Sequence, residues 1–164
     1  MKFVSILMGS KSDYEIMQEC ANIFKQFNIK YELIITSAHR SPQRTKEYIK
    51  KAEEKGVQVF ITAAGMAAHL AGAVAAYTTK PVLGVPMPGN NLASMDSLFS
   101  TVQMPSGIPV GTLAIGKAGA QNAAYLAMQI LALSDAKLAQ ALKEDREAKE
   151  NKLVADSKSV EILL

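Results

Sequence analysis

The chain has 164 residues, 49% of them hydrophobic and 20% charged, with a net charge of +3. That balance fits one soluble globular domain able to bury roughly two thirds of its unfolded surface. Lys and Glu are interspersed and no basic run forms, which argues against nucleic acid as a partner, since its footprint is a clustered basic face. The single cysteine, Cys20, excludes an internal disulfide and any multi-cysteine metal site. No stretch is apolar and long enough to span a membrane, and the opening run is unlike a signal peptide. The expectation is a reduced, cytoplasmic protein that uses neither nucleic acid nor membrane.

Strand and helix signals alternate along the chain. Residues 3–8 read as a strand, followed by Gly9-Ser10-Lys11-Ser12-Asp13. Ser12 and Glu15 have the spacing of a capping box, which satisfies two unpaired amides reciprocally. Ile16, Cys20, Ile23, Phe24 and Phe27 then recur at helical spacing, making Cys20 a buried, inert thiol. Residues 31–35 form a second strand. Residues 42–55 form a second helix, with Ser41 as its cap, Pro42 in its first turn and Gly56 as its stop. A third strand covers residues 57–62, and a helix of small residues reaches about Tyr77. Residues 81–85 are a fourth strand, 95–103 a short helix, 110–115 a fifth strand and 118–133 a longer helix. From Asp135 the chain is Lys-, Glu- and Ala-rich and helical, ending in exposed hydrophobes, Ile162-Leu163-Leu164.

Continuous apolar strands separated by helices argue for a parallel sheet covered on both faces. The expected fold is α/β and flavodoxin-like, with three layers and a central five-stranded sheet in the order 2-1-3-4-5; a Rossmann-like order is the second choice. The chain reads as a single domain over residues 1–164, with a core of about 1–133 and a helical tail of about 134–164 that either frays in solvent or, the favoured expectation, packs on a neighbouring subunit.

Three strand ends carry polar, glycine-punctuated loops, and in a parallel sheet all strand ends of one kind lie on the same edge. That edge is where open α/β sheets bind ligands. Ser10, Asp13, Ser37, His39, Arg40 and His69 are thus expected to converge on one crevice. Arg40 beside Ser37 and Ser41 makes a phosphate clamp. The carboxylate of Asp13 can accept from a ribose diol or complement a helix dipole. His39 is the acid/base candidate, because imidazole titrates near neutral pH. No Gly-x-Gly-x-x-Gly follows the first strand, two histidines without an acidic cluster make a poor metal site, and no nucleophile elbow is present.

These residues make the chain recognisable. Met8-Gly9-Ser10-Lys11-Ser12-Asp13, Ser37-Ala38-His39-Arg40 and Gly65-Met66-Ala67-Ala68-His69-Leu70 resemble motifs of the 5-(carboxyamino)imidazole ribonucleotide mutases, the PurE family of AIR carboxylases. So do residues 81–86, Asp96-Ser97-Leu98, residues 102–110 and residues 114–120. The resemblance implies a homo-octamer with C-terminal helices packed on neighbours, acting in purine (IMP) biosynthesis without metal or organic cofactor. The carboxylate of a small ribonucleotide substrate would move from its exocyclic nitrogen to carbon 4 of the imidazole. By the match, His39 is the general acid and base, and Ser10, Asp13, Ser37 and Arg40 bind the ribonucleotide. The loop of Gly65, Ala67 and Leu70 would hold the freed carbon dioxide, with His69 orienting a carboxylate. Two segments depart from the family: Ala71 stands where proline is usual, and residues 87–91 replace a more polar stretch.

Two other readings remain at this level. A second branch of the family carboxylates aminoimidazole ribonucleotide directly with carbon dioxide. A non-catalytic flavodoxin-like, phosphate-binding module is the more distant one. A phosphoacceptor receiver would need an aspartate where Ala63-Ala64-Gly65 stand, and a flavin carrier would want flanking aromatics in a chain without Trp.

Overall fold

The computed structural model describes residues 2–163, so Leu164, the last of the three terminal hydrophobes, lies outside the described residues. The chain divides into two compact units, Met1–Ala127 and Met128–Leu164. The first holds a five-stranded sheet in the order β2-β1-β3-β4-β5, with every pairing parallel. The strands are β1 (Phe3–Met8), β2 (Tyr31–Ile35), β3 (Val57–Ala64), β4 (Val82–Pro86) and β5 (Gly111–Thr112). The helices are α1 (Tyr14–Gln26), α2 (Pro42–Lys55), α3 (Leu70–Ala75), α4 (Met95–Val102), α5 (Lys117–Ala132) and α6 (Ala136–Val160). The flavodoxin-like order expected from the sequence is the order observed.

The central strands β1, β3 and β4 are buried on both faces, which is why they read as unbroken apolar runs, while the edge strands β2 and β5 are only partly covered. Phe3 and Leu7 of β1, Phe60 of β3 and Val82 of β4 share one core cluster with Ile49 and Ala52 of α2 and Leu70 and Val74 of α3. Val4, Ile6 and Met8 point to the opposite face and are equally buried. Gly84 sets the distance of α4 from the first face, because a Cβ there would collide with Thr101. Gly119 does the same for α5 on the second face, where a Cβ would overlap the Ala114 carbonyl and crowd Val85. Glu19 of α1 accepts from Lys117 and Gln121 of α5, setting those two helices side by side. Cys20 is buried, and desolvation pushes its thiol pKa up.

Four local expectations change. The capping box of the first helical segment is Ser10 with Asp13, two residues before the expected Ser12 and Glu15, because a 3₁₀ turn at Lys11–Asp13 precedes α1. Ser41 occupies the cap position of α2 without a capping bond; its hydroxyl is engaged with Ser37 instead. The fifth strand is two residues rather than six. Pro109 has no N–H for the ladder, and beyond Thr112 only isolated bonds, Leu113 N–H to Gly84 O and Gly116 N–H to Pro86 O, tie the chain to β4. The helix after β3 is also shorter than expected, ending at Ala75.

The second unit holds the end of α5 and all of α6. Asp135 caps α6 by accepting from the N–H groups of Lys137 and Leu138. Leu138 is the one buried residue of α6, while Leu153, Val154, Val160, Ile162 and Leu163 are exposed.

Candidate active site

The carboxyl ends of β1, β2, β3 and β4 surround a cavity of about 620 Å³. Its walls include Ser10, Asp13, Ser37, His39, Arg40, Gly65, Ala67, His69 and Leu70, but not Ser41, the other residue expected in the phosphate clamp. Convergence follows from topology: β2, β1 and β3 are neighbours, and their exits lie on one edge.

The β1 exit holds itself together. The Ser10 N–H donates to Asp13 Oδ2 at 3.0 Å, and Ser10 Oγ accepts from the Ser12 N–H and hydroxyl. Asp13 is buried, and desolvation raises its pKa against the lowering influence of the Ser10 N–H, the Ser12 hydroxyl and the Arg40 charge. Its carboxylate is therefore kept in a place that disfavours its charge, an arrangement typical of sites awaiting a donor.

The β2 exit rests on a run of hydroxyls. Buried Thr36 Oγ1 lies 2.8 Å from Thr45 Oγ1 and 3.3 Å from Ser41 Oγ. Ser41 Oγ accepts from the Ser37 N–H and donates to the Ser37 carbonyl, so it faces the loop's interior and takes no part in the clamp expected of it. Ser37 Oγ in turn accepts from the Arg40 N–H. The Arg40 guanidinium donates to the Gly9 carbonyl at 2.8 Å, tying the β2 exit to the β1 exit. One fork of Arg40 thus meets the protein, and further N–H groups of the same guanidinium remain available to an anion.

The β3 exit turns through Met66, whose φ is 56°, a backbone conformation uncommon for a side-chain-bearing residue. His69 then begins α3. His69 Nδ1 lies 2.6 Å from His39 Nε2, with the two ring planes at 79°. Both rings are exposed at the cavity wall.

The sequence reading missed part of the wall. Ser12, Ala64, Met66, Met87, Pro88 and Gly89 also line the cavity. The last three follow β4, whose exit lies on the same edge, so strand order alone was a signal for them. No group of three or more His, Cys, Asp or Glu side chains able to hold a metal occurs among the described residues.

A profile of the AIR carboxylase family matches residues 3–152. The chain is 53% identical over 151 residues to the N5-carboxyaminoimidazole ribonucleotide mutase of Escherichia coli (strain K12), covering 92% of this chain and 89% of the relative. It is 52% identical over 144 residues to the mutase of Bacillus subtilis (strain 168), covering 88% and 89%. With the mutase of Saccharolobus solfataricus the identity is 49% over 155 residues, covering 94% and 97%. In structure it is similar to Treponema denticola PurE, with a TM-score of 0.89 and 29% identity over 99% of this chain and 100% of that one.

Proposed function

Because the chain belongs to the AIR carboxylase family, we propose that it is an N5-carboxyaminoimidazole ribonucleotide mutase, an isomerase of purine biosynthesis. The observation that carries this is identity of about half over most of the chain to relatives of that name.

The residues of the cavity are assigned as follows. Arg40, with Ser37 and Ser10, takes the phosphate end of the ribonucleotide, and Asp13 accepts from its ribose hydroxyls. His39, as imidazolium, gives a proton to the carbamate nitrogen; the N–C bond breaks and carbon dioxide leaves, with an amine in place of the carbamate. Gly65, Ala67 and Leu70 supply a small, apolar wall that retains carbon dioxide and excludes water. Carbon 4, an enamine-like nucleophile, attacks the trapped molecule. Neutral His39 then removes the carbon-4 proton and the ring regains aromaticity. One proton is given and one taken, so the enzyme returns to its starting state, and no step calls on a metal or organic cofactor. We further propose a homo-octamer acting in the cytoplasm toward IMP. A 25-residue α6 with a single buried side chain suits a helix that packs on a neighbouring copy.

The test follows product formation by ultraviolet absorbance at low bicarbonate from two starting points, the carboxyamino compound and aminoimidazole ribonucleotide with added carbon dioxide. Turnover of the first, lost by about 10³-fold or more in His39→Asn, is the expected result. Turnover of the second alone would make the protein a direct carboxylase, and turnover of neither would overturn the assignment.

A further inference from the structure

Carbon dioxide is the hardest species for the proposed site to keep. It carries no charge and no N–H or O–H, so the charge-assisted bonds that hold a ribonucleotide give it little. Retention must come from walls that stay shut while carbon 4 attacks. Gly65, Ala67 and Leu70 form one side of that corner, and Met87, Pro88 and Gly89 form the adjoining rim. The two sides touch: a Cβ on Gly65 would lie 3.4 Å from the Met87 Cβ.

The rim is held by two serines at the start of α4. Buried Ser97 Oγ donates to the Met87 carbonyl at 2.8 Å, and the Met87 N–H donates to the Ala64 carbonyl, so Met87 is fixed from both sides. Beyond it the backbone has fewer means of attachment. Pro88 has no N–H, and Gly89 has the widest conformational freedom of any residue. One side chain compensates. Ser94 Oγ accepts from the Gly89 N–H at 2.9 Å and donates to the Gly89 carbonyl at 3.1 Å, so a single hydroxyl satisfies both polar groups of that residue. Ser94 is buried and does not border the cavity, and its own carbonyl accepts from Ser97 Oγ at 3.0 Å. It holds this place with a φ of 66°, a left-handed conformation that is unfavourable for serine. A strained residue that commits its hydroxyl to a neighbour's backbone beside a reactive cavity points to a role in shaping it.

We propose that Ser94 is a positioning residue: its hydroxyl clasps Gly89 and holds the Pro88–Gly89 rim shut, so that carbon dioxide freed from the substrate stays until carbon 4 takes it up. The inference rests on the mutase reading for its chemistry. With the clasp in place, the carbamate N–C bond breaks, the nitrogen takes the His39 proton, and the carbon dioxide is consumed by carbon–carbon bond formation. With the rim open, the same first step is followed by escape. Carbon dioxide and aminoimidazole ribonucleotide then leave separately, and His39 recovers its proton from solvent. The ribonucleotide itself is assigned to Arg40, Ser10, Ser37 and Asp13 on other strand exits, so its affinity does not depend on the clasp.

Ser94→Gly tests this, because glycine suits the backbone conformation and lacks the hydroxyl. Substrate carrying radiocarbon in its carboxyl group is turned over by the full-length protein in excess unlabelled bicarbonate. Label is counted in product and in released carbon dioxide, after subtraction of the loss without enzyme. Expected in Ser94→Gly is a rise of about tenfold in the ratio of released to retained label, with KM within about twofold of the parent. The thermal midpoint should stay within about 4 °C, since relief of backbone strain offsets the lost bonds. Ala93→Gly, which loosens the same loop and leaves the clasp intact, should retain label as the parent does. Free release of label by the parent, unchanged retention in Ser94→Gly, or equal loss in both variants overturns the proposal. Hydrogen exchange at the Gly89 amide, measured without substrate, reads the clasp itself. It should be slow in the parent and in Ala93→Gly, and about tenfold or more faster in Ser94→Gly; an unprotected Gly89 amide in the parent also overturns the proposal. A parent that does not convert the carboxyamino compound defeats the mutase reading and this inference with it. A parent that converts it, with retention unaltered in Ser94→Gly, defeats the inference alone.

Discussion

The loop after β2, residues 36–41, and the loop after β4, residues 87–94, both border the cavity and are held in opposite ways. In the first, Thr36, Ser37, Arg40 and Ser41 each make side-chain or backbone bonds inside the loop or to α2, and Arg40 reaches the β1 exit. In the second, the bonds lie at the ends. Met87 is fixed by its N–H to the Ala64 carbonyl and by Ser97 Oγ, and Ser94 Oγ bridges the N–H and carbonyl of Gly89. Between those pins Leu92, Ala93 and Ser94 follow one another in the left-handed region, with φ of 51°, 47° and 66°. Rigidity is thus concentrated on the side chains that would handle phosphate and proton. The β4 loop carries backbone strain of about 1 kcal/mol per residue instead.

The largest way to break this contrast is at Arg40, the residue that joins two exits. Arg40→Met should raise KM about 100-fold, because it removes a charge-assisted fork from the proposed phosphate site. The thermal midpoint should scarcely move, since the bond to Gly9 O is exposed. Arg40→Lys keeps the charge and loses the fork, so a KM about tenfold above the parent is expected. Steady-state kinetics beside thermal melts separate binding from folding here.

Behind the same loop, Thr45→Val deletes the hydroxyl that pairs with Thr36 and donates to the Ser41 carbonyl. Valine fills the same space, so the cost is that of a buried hydroxyl network, about 1–2 kcal/mol in urea unfolding. Because that network sets the position of residues 37–41, kcat should fall several-fold as well. A stability loss with unchanged kcat would show that the loop is held without it.

Asp13 sharpens the comparison through pH. Burial raises its folded-state pKa above the ordinary 3.8. A raised carboxyl pKa means that its protonation favours the folded state; that contribution is complete below 3.8 and is lost as pH rises through the higher folded value. At neutral pH the ionised group is therefore a net cost to folding, held for binding. Asp13→Asn, which keeps an oxygen for the Ser10 N–H, should melt higher than the parent at pH 7 and converge with it near pH 3. Its KM should rise about tenfold through loss of a charged acceptor.

Much of this was legible in the chain. Strand order and the shared edge followed from apolar runs alternating with helical spacing, and the loop residues at the first three exits were identifiable by their polar, glycine-rich character. What stayed hidden is the choice between competing partners, local or distant. Ser12 and Glu15 match the capping pattern as well as Ser10 and Asp13 do, and only the 3₁₀ turn decides between them. Ser41 has the right type and place for a cap, but Ser37 competes for its hydroxyl. The meeting of His39 with His69 joins two exits separated by β1, and no spacing rule encodes a side-chain contact across a strand.

The smallest expected effect lies in the β4 loop. Ala93 sits at φ 47° and ψ 39°, between two other left-handed residues. Ala93→Gly removes the contact between Cβ and backbone that disfavours this conformation, about 1 kcal/mol, and loses part of that to the greater freedom of glycine in the unfolded chain. A net gain of about 0.5 kcal/mol should raise the thermal midpoint by about 1.5 °C for a chain of this size. KM should stay within twofold, because the pins at Ser94 and Ser97 are untouched. Relief of strain at Thr36–Ser41 has no counterpart, since no residue there has a positive φ. If Ala93→Gly instead lowered the midpoint, the left-handed run would be stabilised by its surroundings, and the two loops would differ in how they are held rather than in how firmly.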